Sequence, residues 1–136
     1  MIILPAGKAK FNWIDIENIG EVAAKLLNDF DNYKNRVIKL TGYENMDFYQ
    51  VTDLINDTID NKIIFDDANP LRFYWTKKKD GLKSGMIIVM TMLHFLPRFQ
   101  SAPKISDFYE RLTGKKPTTL KEFIKREHKK LTYHNK

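Results

Sequence analysis

Tyr74 and Lys78 stand one helical turn apart in "FYWTKKK". This is the Tyr-x-x-x-Lys spacing at which an ammonium can lower the pKa of a phenol and make it an acid/base group. Four-residue coincidences arise readily in a chain this rich in tyrosine and lysine, so the pair needs a cofactor loop beside it to mean catalysis. The glycines at 7, 20, 42, 81, 85 and 114 form neither GxGxxG nor a P-loop. The backbone cradle that holds a dinucleotide or nucleotide phosphate is therefore missing from the sequence, and coincidence is the stronger reading of Tyr74 and Lys78.

The other reactive residue types are similarly scattered. His94, His128 and His134 have no HExxH pattern and no carboxylate at metal-ligand spacing. His94, inside an apolar run, reads as a core or pocket histidine; His128 and His134 read as solvated. Asp66-Asp67 could act as paired carboxylates, but better fit a strand end, one in water and one capping the next turn. Ser84, Ser101 and Ser106 lack a GxSxG elbow. The chain has no cysteine, which excludes disulfides, thiol catalysis and thiolate metal sites. Aromatics are the remaining signal: Trp13, the run Phe73-Tyr74-Trp75, and Phe95 with Phe99 can form core, line an apolar pocket, or do both.

The elements that must position these residues are legible in outline. "MIIL" and "KFNWI" are β-leaning runs joined by "PAGKA", which is compatible with a hairpin. Asp15 sits where a helix N-cap belongs, with Ile14 and Ile19 at the flanking staple positions. Ile16, Ile19, Val22, Ala23, Leu26, Leu27 and Phe30 follow helical spacing and predict one buried face. "RVIKLTG" at 36–42 predicts a strand, a helix starts at about Asp47, and "KIIFDDA" at 62–68 predicts another strand. That order suggests a βαβ crossover.

Asn69-Pro70 opens a further helix. Ser84 can cap the helix 85–96, which is apolar almost all round and so must be buried or lie in an interface. Ser106 opens a short helix closed by Gly114. Thr119 and Glu122 make a capping box for a last helix, whose stripe of Leu120, Phe123, Ile124 and Leu131 places it on the surface.

At 136 residues, with 43% hydrophobic and 29% charged residues, the composition fits one globular domain, residues 1–136, rather than a disordered chain. The net charge of +6 resides wholly in residues 114–136, a basic surface helix and tail. A solvated face explains it better than nucleic-acid binding, because no aromatic interleaving or recognition motif accompanies it. The N-terminal apolar run is too short for a signal peptide, and 85–97 is too short for a bilayer span. The expectation is a cytoplasmic protein without membrane attachment. Asn56-Asp57-Thr58 fits the glycosylation pattern by chance.

The hairpin with "NWIDIENIGEVAAKLL", then "VIKLTG", "KIIFDD" and finally "LTGKKPTTLKEFI" resemble the C-terminal half of NmrA-like proteins, atypical members of the short-chain dehydrogenase/reductase superfamily. The resemblance runs from about residue 2 to residue 127. Its most specific parts are Asp15-Ile16, Leu40-Thr41-Gly42, and Gly114 through Pro117-Thr118-Thr119 to Phe123. It implies an α+β chain, mostly helical with a few short strands, taken from a Rossmann-type fold. In that family an N-terminal half binds NAD(P), and the C-terminal half builds the substrate-side wall. Some members reduce quinones or other small carbonyls; others sense redox state without doing chemistry.

Only the second half is matched, so the expectation is a chain that lacks the cofactor half, binds no cofactor alone and is inactive by itself. Asp15 falls on a family position whose role is structural. Trp13, Tyr74 and His94 are the candidates for the substrate pocket, with no catalytic, cofactor-binding or metal residues assigned. The expected partners are a second copy of the chain or a separate Rossmann half, and an apolar small molecule is a further possibility. The alternative is a stand-alone small-molecule-binding or oligomeric interaction module with an aromatic pocket. A weaker third reading is nucleic-acid binding through the basic tail.

Overall fold

In the computed structural model, residues 1–59 and 62–132 are described, the last four by their backbone alone. Leu131 and His134 thus lie outside the residues whose side chains are described. The chain divides into two compact units, one formed by Met1–Phe11 and Met46–Pro103, the other by Asn12–Asn45 and Lys104–Lys136.

The first unit contains β1 (Ile2–Leu4) and the elements between Met46 and Pro103, the chain's apolar helix among them. Its elements are β1, α3 (Phe48–Ile59), β4 (Phe65–Asp67), α4 (Pro70–Lys79), α5 (Ser84–Phe95) and a 3-10 turn at Leu96–Phe99. β1 does not fold back on the next strand. It pairs in parallel with β4, Ile2 opposite Phe65 and Leu4 opposite Asp67. The hairpin expectation is therefore corrected: a parallel pair needs a long crossover, and β1 reaches β4 across α3.

The loop after β1 is held instead by Gly7, at φ +53°, whose N–H donates to Asp67 Oδ1 at 2.8 Å. α3 opens on a reciprocal box, Asp47 accepting from Gln50 N–H and Gln50 accepting from Asp47 N–H. Asn69 caps α4 by accepting from Arg72 N–H, with Pro70 at the first helical position as expected. Ala68, Phe73 and Ile87 are fully buried, and Ile3, Leu4, Tyr74, Leu82 and Met90 pack around them.

The second unit is built from α1 (Ile16–Asn28), α2 (Phe30–Tyr33), α6 (Phe108–Thr113) and α7 (Leu120–Thr132). β2 (Phe11–Trp13) pairs with β3 (Glu44–Met46), and the unit boundaries fall inside these two strands. Residues 36–42 form no strand. Side chains take the backbone groups a ladder would have used: Gly42 N–H donates to Asn12 Oδ1 at 2.6 Å, and Thr41 Oγ1 binds the backbone of Ser106.

Asp15 caps α1 through the N–H of Glu17, as its position predicts. Of the predicted apolar stripe only Val22 is buried, however. Val22 and Asn18 face inward, whereas Ile16, Leu27 and Phe30 are 74%, 72% and 59% exposed. Phe30 has left α1 altogether and begins α2. The last helix, expected only to lie on the surface, is docked: Ile124 is 1% exposed. The box between Thr119 and Glu122 starts it as predicted.

Candidate functional site

In the first unit, α4 carries Tyr74 and Lys78 to a common acceptor. The Tyr74 hydroxyl and the Lys78 ammonium each donate to Ser84 Oγ at 3.0 Å. Ser84 is the first residue of α5 and the N-cap position falls to Lys83, so the expected Ser84 cap does not form and its hydroxyl is engaged by these two groups. The sequence pairs Tyr74 with Lys78 but gives no sign that Ser84, ten residues on, completes the cluster. The phenolic proton points into the serine, and the cluster stands without a phosphate-cradling loop. Its clear effect is to join the end of α4 to the start of α5. Trp75, beside Tyr74, is largely exposed and meets the tyrosine ring edge-on.

His94 lies elsewhere in the same unit. Its Nδ1 is 2.7 Å from the carbonyl of Met90, which can only accept, so Nδ1 carries the proton. The ring sits about 6 Å from the rings of Phe11 and Phe48, which themselves meet edge-on at 5.4 Å. His94 is thus set in an aromatic cluster, while Tyr74 belongs to the cluster around Phe73. Trp13, in β2, belongs to the second unit. Asp66 and Asp67, predicted to divide between water and a cap, are both ion-paired, Asp66 with Arg72 and Asp67 with Arg98.

The second unit holds two half-open clefts. One, of about 220 Å³, is lined by Gly42, Tyr43, Ser106, Asp107, Glu110 and Lys116, among others. The Lys116 ammonium lies 6.0 Å from the centre of the Tyr43 ring, at the limit of a cation–π contact. The other cleft, of about 330 Å³, is lined by Tyr33, Phe108 and the cations Arg36, Lys39 and Arg111. The aromatic wall and three cations of this second cleft suit a planar acidic ligand, whereas Asp107 and Glu110 oppose one in the first. The sequence signals were Leu40-Thr41-Gly42 and Gly114–Pro117, which mark the unit's chain crossings without marking a cleft.

A buried polar network braces this unit. Asn18 donates to the Tyr109 hydroxyl at 2.9 Å and accepts from Thr118 N–H at 2.8 Å. Tyr109 donates to Glu21 at 2.7 Å, and Lys115 pairs with Glu21 at 3.0 Å. The hydrogen bond from Tyr109, then that from Lys115, lowers the Glu21 pKa; burial and the Glu21 charge raise that of Tyr109. Asp15, its side chain 1% exposed, meets Arg126 at 2.8 Å, and that guanidinium holds its carboxyl below the ordinary 3.8 against the opposing effect of burial. Among the described residues no group of three or more His, Asp or Glu could hold a metal ion.

No family model matches the chain. It is 24% identical over 124 residues to prestalk A differentiation protein A of Dictyostelium discoideum, a match covering 91% of this chain and 41% of that protein. The NADP(H)-complexed triphenylmethane reductase of Citrobacter sp. superposes with a TM-score of 0.77 at 18% identity, over 92% of this chain and 43% of that one. The NADPH-complexed quinone oxidoreductase of Escherichia coli gives 0.76 at 17%, over 93% and 44%. A nucleoside-diphosphate-sugar epimerase of Staphylococcus aureus gives 0.75 at 18%, over 91% and 43%.

The chain therefore has the fold of the C-terminal part of an NAD(P)-binding reductase, mostly helical with a small parallel sheet. It spans about two fifths of the length of these proteins. At 17–18% identity the likeness to these solved structures is one of fold.

Proposed function

We propose that this chain is the substrate-side part of an NAD(P)-dependent reductase or redox-sensor fold, and that by itself it neither holds the dinucleotide nor reduces a substrate. One observation carries the reading. More than nine tenths of the chain superposes on little more than two fifths of a dinucleotide-binding reductase, while its own glycines form no phosphate-cradling loop. The apolar stripe that α1 leaves in solvent supports it, since a helix cut from a larger fold would show such a face.

In this reading the nicotinamide, supplied with a dinucleotide-binding half, would provide the hydride. This chain's contribution is the wall against which an acceptor lies, with Tyr74 and His94 proposed on the substrate side of the first unit and Trp13 on that of the second, each taken by itself. Neighbours named for triphenylmethane dyes and quinones suggest a conjugated, electrophilic acceptor. The purified chain, mixed with NADPH and a triphenylmethane dye or a quinone, is expected to leave NADPH absorbance unchanged. Protein-dependent NADPH consumption would overturn the reading.

A second reading, a stand-alone small-molecule-binding module, is favoured by the cleft where Tyr33 and Phe108 stand beside Arg36, Lys39 and Arg111. It is distinguished by saturable binding of a planar aromatic acid without any dinucleotide, weakened by about tenfold in Tyr33→Ala.

A further inference from the structure

α5 is divided lengthwise. Ile87 is fully buried, with Met90, Thr91, His94 and Phe95 half-buried on the same side. Met86, Ile88, Val89, Met92, Leu93 and Leu96 are all about half exposed or more. At 3.6 residues per turn these six fall on one continuous arc of roughly 160°. The adjoining Phe99 extends the patch at 76% exposure. Between Ser84 and Pro97 there is no Lys, Arg, Asp or Glu.

That surface is large for a protein left alone in water. With whole-residue areas of about 200 Å² each, the exposed apolar surface is on the order of 800 Å², above the roughly 300–600 Å² of the largest patch on a typical monomer. A stable interface removes about 800 Å² from each partner. The patch alone therefore supplies what one side of a dimer needs. Its composition also selects the occupant. A charged partner finds no counter-charge on the helix, and a polar one would bury unsatisfied groups against it. A second α5 face is apolar and uncharged along the same length, so self-pairing brings no like charges together.

We propose that the exposed face of α5 is an isologous interface between two copies of this chain. A two-fold axis crossing the last turn of α5 sets Met92 close to its own counterpart, with Val89 and Leu96 on either side. The pairing goes beyond the functional reading above, and its test is independent of any dinucleotide.

The test uses the full chain as Met92→Lys and Met92→Glu variants, compared with the parent by sedimentation and light scattering at tens of micromolar. The parent is expected to be a dimer. Each variant is expected to be a monomer of unchanged helix content, with dimerisation weakened by more than about a hundredfold, because one face would bury a pair of like charges. An equal mixture of the two variants is expected to regain the dimer, since the opposite charges then meet near the axis. That rescue separates loss of an interface from loss of the fold. A monomeric parent, a dimer that survives both substitutions, or a mixture that stays monomeric would each overturn the proposal.

Discussion

Gly42 shows how much a single residue can carry in this chain. A Cβ built there would stand 1.7 Å from the carbonyl oxygen of Trp13, a backbone atom that cannot move aside alone. The same glycine donates its N–H to Asn12 Oδ1, fixing the approach of the two segments. Gly42→Ala is expected to lower unfolding free energy by about 3 kcal/mol or more, measurable as a lower urea midpoint. An unchanged midpoint would show that the segments part readily. The sequence places glycine after Leu40-Thr41, but read it as the end of a strand. Its actual role depends on a backbone 29 residues away in the chain, and no local pattern reports such an approach. Ser84 presents the same limit: its partners Tyr74 and Lys78 are visible as a pair, whereas the acceptor that joins them emerges only from how α4 and α5 pack.

At the scale of elements, ends were more legible than faces. Asp15, Asn69 and the Thr119–Glu122 box all start helices where predicted, since a cap depends on side chains within three residues of the free N–H groups. Strand partners were not legible, because β1 and β4 are three residues each and nothing in so short a run specifies parallel or hairpin pairing. The stripe on α1 correctly indicated an amphipathic helix. It could not indicate which side this chain covers: Asn18 and Val22 are buried, whereas Ile16 and Leu27 are not.

The docking of α7 onto the start of α1 has a consequence in acid. Arg126 bonds both Asp15 and Glu17, so the α1 cap is also an ion pair. The folded state lowers the Asp15 pKa, and its contribution is fully present above 3.8 and is lost as pH falls below that value. Asp15→Asn is expected to be less stable than the parent at neutral pH and to lose less on acidification below 3.8, as read by urea titration across that range. Parallel stability–pH profiles for the two proteins would show that the pair adds nothing.

For the whole molecule, the basic excess is partly used internally. Lys115 pairs with Glu21, and Arg126 with Asp15 and Glu17, so the positive C-terminal segment is not simply a free cationic arm. Among the described residues no helix is long and apolar enough to cross a membrane. The order and spacing of short segments from Asp15 to Phe123 were enough to point to the reductase-type fold, since caps and chain crossings recur wherever the same architecture is built. The clefts of the second unit were not legible, because Tyr43, Ser106 and Lys116 come from distant segments. The proposed function puts the dinucleotide site outside this chain. Isothermal titration of NADPH into the purified protein tests it most directly. No saturable heat is expected up to millimolar NADPH; a saturable isotherm with a micromolar Kd would contradict the assignment.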